Sequence, residues 1–137
     1  MKSNCFIKED STEKKSIDEA IKSIKSLDEA NSLCNSISQK SLKKDQKEKL
    51  AQKLIKYAKT YDELLRVKDY VENYLKYSLN KKQILILIKK LVWASTDNQQ
   101  LLDTQKYARS KHMLSHYLKF LYSKHIAKAM AKEPIFY

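Results

Sequence analysis

Glycine is absent from this 137-residue sequence, and proline occurs only once, at Pro134. Phosphate-binding loops, dinucleotide-binding turns and the nucleophile turn of Gly-x-Ser-x-Gly hydrolases all need backbone positions that only glycine fills well. The sequence therefore excludes these three kinds of site. Tight turns between β-strands also favour glycine, Asn-Gly or proline, so a sheet protein is disfavoured as well.

Cysteines are few, and long apolar runs are missing. Cys5 and Cys34 have no Cys or His neighbour at metal-ligand spacing, so we expect reduced thiols, with Cys34 a small buried residue on an apolar helix face. The longest apolar run is the five residues 84–88, far short of the roughly 18 that a membrane span needs. The first 15 residues contain no apolar segment typical of a signal peptide. We therefore expect a cytoplasmic protein that does not insert into membranes, with export by a route that reads other signals as the alternative.

What the chain does contain is a set of helix-start signals. Three Ser/Thr-x-x-Glu capping boxes occur at residues 16–19, 26–29 and 60–63. The segment after Ser26 resembles the segment after Thr60 at an offset of 34 residues, and the segment from Ser41 resembles that from Ser78 at an offset of 37. The two offsets indicate that a helix hairpin has been used at least twice. Hairpins of this length either stack into short solenoids or collapse into irregular bundles.

Apolar spacing supports an all-α fold of five or six helices, either a bundle or a short solenoid built from tandem helix hairpins. The run at 84–88 could be a strand in isolation, but no partner strand exists and we predict a central helix. Residues 97–132 are one helix or two, with a break or kink predicted near 103–110. The predicted organisation is a polar tail at 1–12, a single helical domain at 13–132 and an apolar tail at 133–137.

A stripe of tyrosines is the first candidate site. Tyr70, Tyr74 and Tyr77 stand four and three residues apart, so on a helix they would share one side. Tyrosine is enriched at the energetic centres of protein interfaces. The alternative is that the stripe packs inside the protein against the helix that contains Ile84.

Clusters of positive charge are the second candidate. The net charge is +12, and it is concentrated in residues 40–59 and 104–132, the latter with seven cations and no acid. Such faces could contact phosphates or an acidic protein if they lie side by side, and otherwise they only keep the protein soluble. The candidate anion or nucleic-acid contacts are Lys49, Lys53, Lys56, Arg109, His112, His116 and Lys119.

His112 and His116 have the spacing of a two-histidine metal site on a helix, and His125 is expected in the core. Cations flank the pair and a third ligand is not evident, so we predict no metal and no other cofactor. Carboxylates are paired only inside capping boxes, which favours a protein that is not an enzyme. We expect a protein-interaction module of the inhibitor, adaptor or immunity/effector type, which acts by occlusion or scaffolding. Its expected partner is another protein, and an acidic protein is one form of this hypothesis. Nonspecific nucleic-acid binding through the lysine-rich faces is the alternative.

Overall fold

The computed structural model describes residues 17–37 and 41–132, and within these ranges the chain is all-helical without a β-strand. The predicted all-α class is thereby confirmed, but the described residues form more helices than the five or six predicted. The tail at 1–12, Cys5 and the apolar tail at 133–137 lie outside the described residues. The seven α-helices are α1 (residues 17–22), α2 (Leu27–Ser36), α3 (Lys44–Tyr57), α4 (Tyr61–Asp69), α5 (Lys81–Ala94), α6 (Asn98–Ser110) and α7 (Leu114–Lys132), and a π-helical turn, Tyr70–Tyr74, follows α4.

Helix starts follow the sequence signals closely. Ser26 Oγ accepts a hydrogen bond from the backbone N–H of Glu29, and Thr60 Oγ1 accepts one from Glu63. The Glu63 carboxylate in turn accepts from the backbone N–H groups of Lys59 and Thr60, both at 3.0 Å. These bonds satisfy amide groups that an isolated helix would leave without partners. The boxes at 26–29 and 60–63 are therefore confirmed, whereas Ser16 of the third box lies outside the described residues.

The ambiguous apolar run forms a helix, as predicted. Helix α5 buries Ile84, Leu87, Ile88, Leu91 and Val92. Ile86 and Trp93 remain on its exposed side, with 39% and 43% of their surface accessible. The start of the helix is fixed by Asn80, whose side chain accepts from the N–H of Gln83 at 2.8 Å. This is the same type of cap as at Ser26 and Thr60, formed by Asn and Gln in place of Ser and Glu.

The structure divides into two compact units. The first contains the described residues up to Ala58 together with 67–79, and in it α2 packs against α3. Gln46, which is 1% exposed, donates to the Asp18 carboxylate at 3.1 Å and thereby joins α3 to α1. Lys53 makes a second connection, because its amine donates to the carbonyl oxygens of Lys22 and Ile24 at the end of α1.

The second unit contains residues 59–66 and the described residues from Asn80 onward. Helices α5, α6 and α7 pack against one another in it. Two buried tyrosines, one before α6 in the sequence and one after it, hydrogen-bond to the first turn of this helix. The hydroxyl of Tyr61 donates to the carbonyl of Gln100, and the hydroxyl of Tyr117 donates to the carbonyl of Leu101. Burial raises the pKa of both phenols, so they stay neutral donors. A single domain over 13–132 stays a prediction.

Four helix ends in this glycine-free chain are closed by serine side chains. Four serines donate their hydroxyls to carbonyl oxygens three or four residues earlier, where the last turn of a helix leaves acceptors unused. Ser95 to Leu91 and Ser110 to Tyr107 are the shortest of these bonds, at 2.6 Å each. The others are made by Ser23 and Ser36.

Two helix ends, of which the end of α6 is also closed by Ser110, use a left-handed backbone position, which normally favours glycine. Lys76 has φ 51° and His112 has φ 59°. After α6 the N–H of Met113 reaches the carbonyl of Ala108 at 2.8 Å and that of His112 reaches Arg109, which is the Schellman arrangement. A buried side chain follows each left-handed residue, namely Tyr77 and Met113. Residues 97–132 are thus two helices that separate at 111–113, slightly later than the predicted break at 103–110.

Candidate functional site

The most exposed apolar feature in the described part of the chain lies on α7. Leu118, Tyr122, Ile126 and Met130 are 51%, 68%, 41% and 60% exposed and follow one another at intervals of four residues. We call these four residues the α7 ridge. Taking about 200 Å² for a large side chain of this kind, the ridge presents on the order of 400 Å² of mainly apolar surface. Patches of that size on soluble proteins are often binding sites.

Contacts on the opposite side of α7 hold the ridge outward. Tyr117 is 2% exposed and hydrogen-bonds α6 through its hydroxyl. The amine of Lys124 donates to the carbonyl of Val92 at 2.8 Å and also to that of Ser95, at the end of α5. Tyr117 and Lys124 are seven residues apart and therefore share one face of the helix. Because this face of α7 is hydrogen-bonded to α5 and α6, the ridge lies on the side of α7 that faces away from these contacts.

Lys124 carries an electrostatic cost in this position. Burial is the main reason that its pKa is lowered, and the neighbouring ammonium of Lys128 lowers the pKa further. The two carbonyl oxygens compensate, since the negative end of a helix dipole favours a cation. Lys124 therefore serves as a cap for α5.

The C-terminal part of α7 extends beyond these contacts. Every residue from His125 to Ala131 is exposed, and the prediction that His125 lies in the core is wrong. Five of these seven residues are apolar and Lys128 is the one ammonium among them. The sequence spacing predicts Leu118, Leu121 and His125 on the face of Tyr117, but at about 100° per residue Leu118 and His125 lie about 100° and 80° around α7 from Tyr117 and are exposed.

The predicted tyrosine stripe occupies three different environments. Tyr70 and Tyr74 lie on the π-helical turn with their rings stacked, 4.9 Å between centroids. Tyr74 is 46% exposed, whereas Tyr77 is 8% exposed. Tyr77 does not continue the helix, because the left-handed residue Lys76 ends it and turns the next side chain inward. Of the three, only Tyr74 offers substantial surface to a partner, and a binding role for the stripe stays a prediction.

Tyr70 has a structural partner in the first unit. Its hydroxyl and the Cys34 sulfur are hydrogen-bonded. Burial, followed by the interaction with Cys34, raises the pKa of Tyr70 far above its usual value. Burial also raises the pKa of the Cys34 thiol, so the thiol stays protonated and unreactive. The prediction of Cys34 as a buried residue on a helix is confirmed.

The basic candidates on α3 also differ from one another. Lys49 and Lys56 are exposed, and the Lys56 amine lies 5.4 Å from the centre of the Tyr57 ring. Lys53 is half-buried and directs its amine at the end of α1. A lysine engaged by two carbonyl oxygens has less capacity left for an external anion. Lys49 and Lys56 are thus the better placed of the three for a contact from outside.

The second basic group surrounds the turn between α6 and α7. Arg109 is exposed in the last turn of α6, His112 is exposed in the connecting turn, and Lys119 is exposed on α7 next to the ridge. His112 lies in the turn and the half-buried His116 lies on α7. They are therefore not on one helix, and the premise of a two-histidine metal site is wrong. Among the described residues no group of three metal-binding side chains comes together.

Comparison with known proteins adds no relative to this picture. No family model, no curated protein and no solved structure matches the chain. Of the helices that the structure describes, none is both long and apolar enough to cross a bilayer.

The ridge is the feature that the sequence reasoning missed. A signal for it exists, because Leu, Tyr, Ile and Met recur every four residues from 118 to 130. An apolar residue every four positions is ordinarily attributed to a buried face. Only the positions of Tyr117 and Lys124 establish which side of α7 is covered.

Proposed function

We propose that this chain is a small helical module that binds another protein, without catalysis, and acts by covering or bringing together its partners. The observation that carries the proposal is the α7 ridge, four large apolar side chains exposed along one helix. Exposing such residues in water is unfavourable by about 25 cal/mol per Å². A partner that covers them recovers this free energy, which makes the ridge a suitable centre for an interface.

Tyr74 is proposed as a secondary contact. It keeps 46% of its surface accessible, and its ring is held by stacking on Tyr70. A ring that is already ordered loses little rotamer freedom on binding. Tyr70 and Tyr77 then support this part of the molecule from inside and would not themselves reach a partner.

The repeated hairpin belongs to the same proposal. A Glu or Gln at the third helical position contacts the backbone before its helix at five helix starts, from α2 to α6. These residues are Glu29, Gln46, Glu63, Gln83 and Gln100. Glu29 to Glu63 spans 34 positions, and both Gln46 to Gln83 and Glu63 to Gln100 span 37. We infer tandem helix hairpins, a framework that commonly presents extended surfaces for protein binding.

Capture from cells of the native source tests the proposal. The tagged wild-type chain is compared with a triple variant, Leu118→Ser, Tyr122→Ser and Ile126→Ser. Ile86→Ser with Trp93→Ser is the matched control, because these residues are also apolar and exposed but lie on α5. We expect a protein partner that wild type and the α5 control retain and the triple variant loses. Retention by all three, or no partner for wild type, would refute the proposal.

Nucleic-acid binding is the competing function. It is supported by exposed cations such as Lys49, Lys56, Arg109 and Lys119. Phosphate contacts predict an affinity that falls steeply as salt rises, with each neutralised phosphate adding about 0.9 to the logarithmic slope on duplex DNA. A gel-shift titration with a duplex and a single strand at 25 to 200 mM salt measures this slope. Retardation that the triple ridge variant leaves unchanged would favour nucleic acid over protein.

A further inference from the structure

We infer that the α7 ridge binds an acidic amphipathic helix of another protein. This inference rests on the proposed function and specifies its partner. It follows from three properties of α7: the spacing of the ridge, the size of the side chains beside it, and the sign of the surrounding charge.

The spacing of the ridge matches helix-to-helix packing. Residues four apart form a row inclined to the helix axis, because four residues advance by slightly more than one turn. From Leu118 to Met130 this row is about 18 Å long and rotates by about 120° around α7. Rows of this kind fit into the groove between two rows of a second helix. A helical partner can therefore contact all four residues at once.

Small side chains lie on both sides of the outer half of the ridge. Ser123 and Ala127 follow on one side and Ala129 lies on the other, and all three are exposed. Small residues beside a ridge allow two helix axes to approach to the lower end of the usual 8 to 10 Å. At the corresponding positions nearer the start of α7, Lys119 lies on the first side, and Leu121 followed by His125 lies on the other. The arrangement thus has an apolar centre with a cationic or polar rim, as in typical interfaces.

The charge around the ridge selects an acidic partner. Residues 104–132 contain seven lysines and arginines and neither Asp nor Glu. Lys119 is exposed directly beside the ridge, and Lys106, Arg109 and Lys111 are exposed in the preceding part of this segment. A partner helix with Asp and Glu beside its apolar stripe would be attracted and oriented by this field.

Charge and shape also separate this partner from two other occupants. A second copy of the chain would bring two segments of the same sign together, each of them without a single carboxylate. A bilayer surface favours a helix with a broad apolar side, whereas Lys119 and Ser123 lie along one border of the ridge in its first half. The acidic helix is the occupant that satisfies both the apolar row and the charge.

Site-directed photocrosslinking identifies what covers the ridge. Tyr122 is replaced by the photoreactive residue benzoylphenylalanine in the full chain, and Gln52, exposed on α3, is replaced in a control. After irradiation in cells of the native source, mass spectrometry identifies the segment joined to each position. We expect the Tyr122 position to label a helical segment with net negative charge and an apolar stripe, and the Gln52 position not to label it.

The outcomes separate the two levels of proposal. Labelling of a protein segment that lacks excess Asp and Glu, or of a second copy of this chain, overturns the acidic-helix inference and leaves protein binding intact. Labelling of lipid overturns it too, and flotation with phosphatidylcholine and phosphatidylserine vesicles is the check. Absence of any specific protein label would instead contradict the proposed function.

A charge reversal provides the quantitative test. The labelled segment is synthesised as a peptide, and its affinity is measured for wild type, Lys119→Glu and Lys44→Glu. Lys44 is exposed at the start of α3 and gives the same change in net charge. We expect Lys119→Glu to weaken binding about tenfold at low salt and Lys44→Glu to weaken it less than threefold. Equal effects of the two reversals would overturn the inference.

Discussion

Gln46 connects the start of α3 with α1, and its replacement by leucine should unfold the first unit more easily. The side chain is 1% exposed. Its carbonyl accepts from the backbone N–H of Lys43 at 2.9 Å, and its amide donates to the Asp18 carboxylate at 3.1 Å. Leucine has a similar size but makes neither bond.

The expected loss follows from these two bonds. A hydrogen bond between neutral groups contributes about 1 kcal/mol net, and one to a charged group about 1.5 to 3 kcal/mol. Greater burial of apolar surface by leucine offsets part of this sum. We expect Gln46→Leu to lower the free energy of unfolding by about 2 kcal/mol, which corresponds to a decrease of roughly 1 M in the urea midpoint for a protein of this size.

Urea unfolding followed by far-UV circular dichroism measures the effect. Gln52→Leu is the matched control, because Gln52 lies on the same helix but is exposed, and it should stay within about 0.5 kcal/mol of wild type. A double-mutant cycle with Asp18→Ala should give a coupling of about 1 kcal/mol. The reasoning would be refuted if Gln46→Leu behaved like Gln52→Leu, or if the cycle gave no coupling.

Four further predictions concern caps, turns and the ridge. His112→Gly should raise the free energy of unfolding by up to about 1 kcal/mol, because φ is 59° there and glycine takes this conformation without strain. Lys111→Gly is the control and should lower the free energy of unfolding, because φ is −99° at that position. A lower free energy of unfolding in both variants would contradict this prediction. The pKa of Glu63 is lowered, first by the Thr60 amide, so its contribution to stability is present above pH about 4.5 and disappears as pH falls through the folded value. Glu63→Gln keeps the acceptor and should flatten the urea midpoint between pH 5 and 2, whereas an unchanged pH profile would be evidence against the cap. Lys124→Met should lower the melting temperature in calorimetry by several degrees, and no change would show that the two carbonyl contacts contribute little. Tyr122→Ser should change stability by less than about 0.5 kcal/mol, since the side chain is 68% exposed; a larger loss in urea unfolding would mean that the ridge is covered within the chain.

Features encoded over a few residues could be predicted from the sequence. The capping boxes at Ser26 and Thr60 are local, because donor and acceptor lie three residues apart. The physical cause of these caps lies within one turn of the chain. The helix at 84–88 is predictable for another reason, because the sequence offers no second strand with which this run could pair.

The rest depends on tertiary contacts or on rare backbone conformations. Glycine normally marks a left-handed helix end, and here Lys76 and His112 take that conformation without any such mark. The tyrosine stripe and the histidine pair were therefore extended across helix ends that the sequence does not signal. The ridge was missed because the covered side of α7 is determined by Tyr117 and Lys124 in contact with other helices.

The position of Lys124 at the end of α5 affects how the chain folds. At the end of α5 the carbonyl of Ser95 accepts from the Lys124 amine, about thirty positions later in the chain, and the carbonyl of Val92 accepts from Lys124 in addition to the local N–H of Ser95. Ser95 closes the last turn locally through its hydroxyl and its N–H, but the Lys124 donor reaches these carbonyls only when α7 has docked. The end of α5 thus lacks this donor until α7 is present, so during synthesis on the ribosome the end of α5 should fray until α7 has emerged. This coupling makes the second unit fold cooperatively, and a chain that stops before Lys124 should lose protection from hydrogen exchange at the end of α5 as well as losing the ridge.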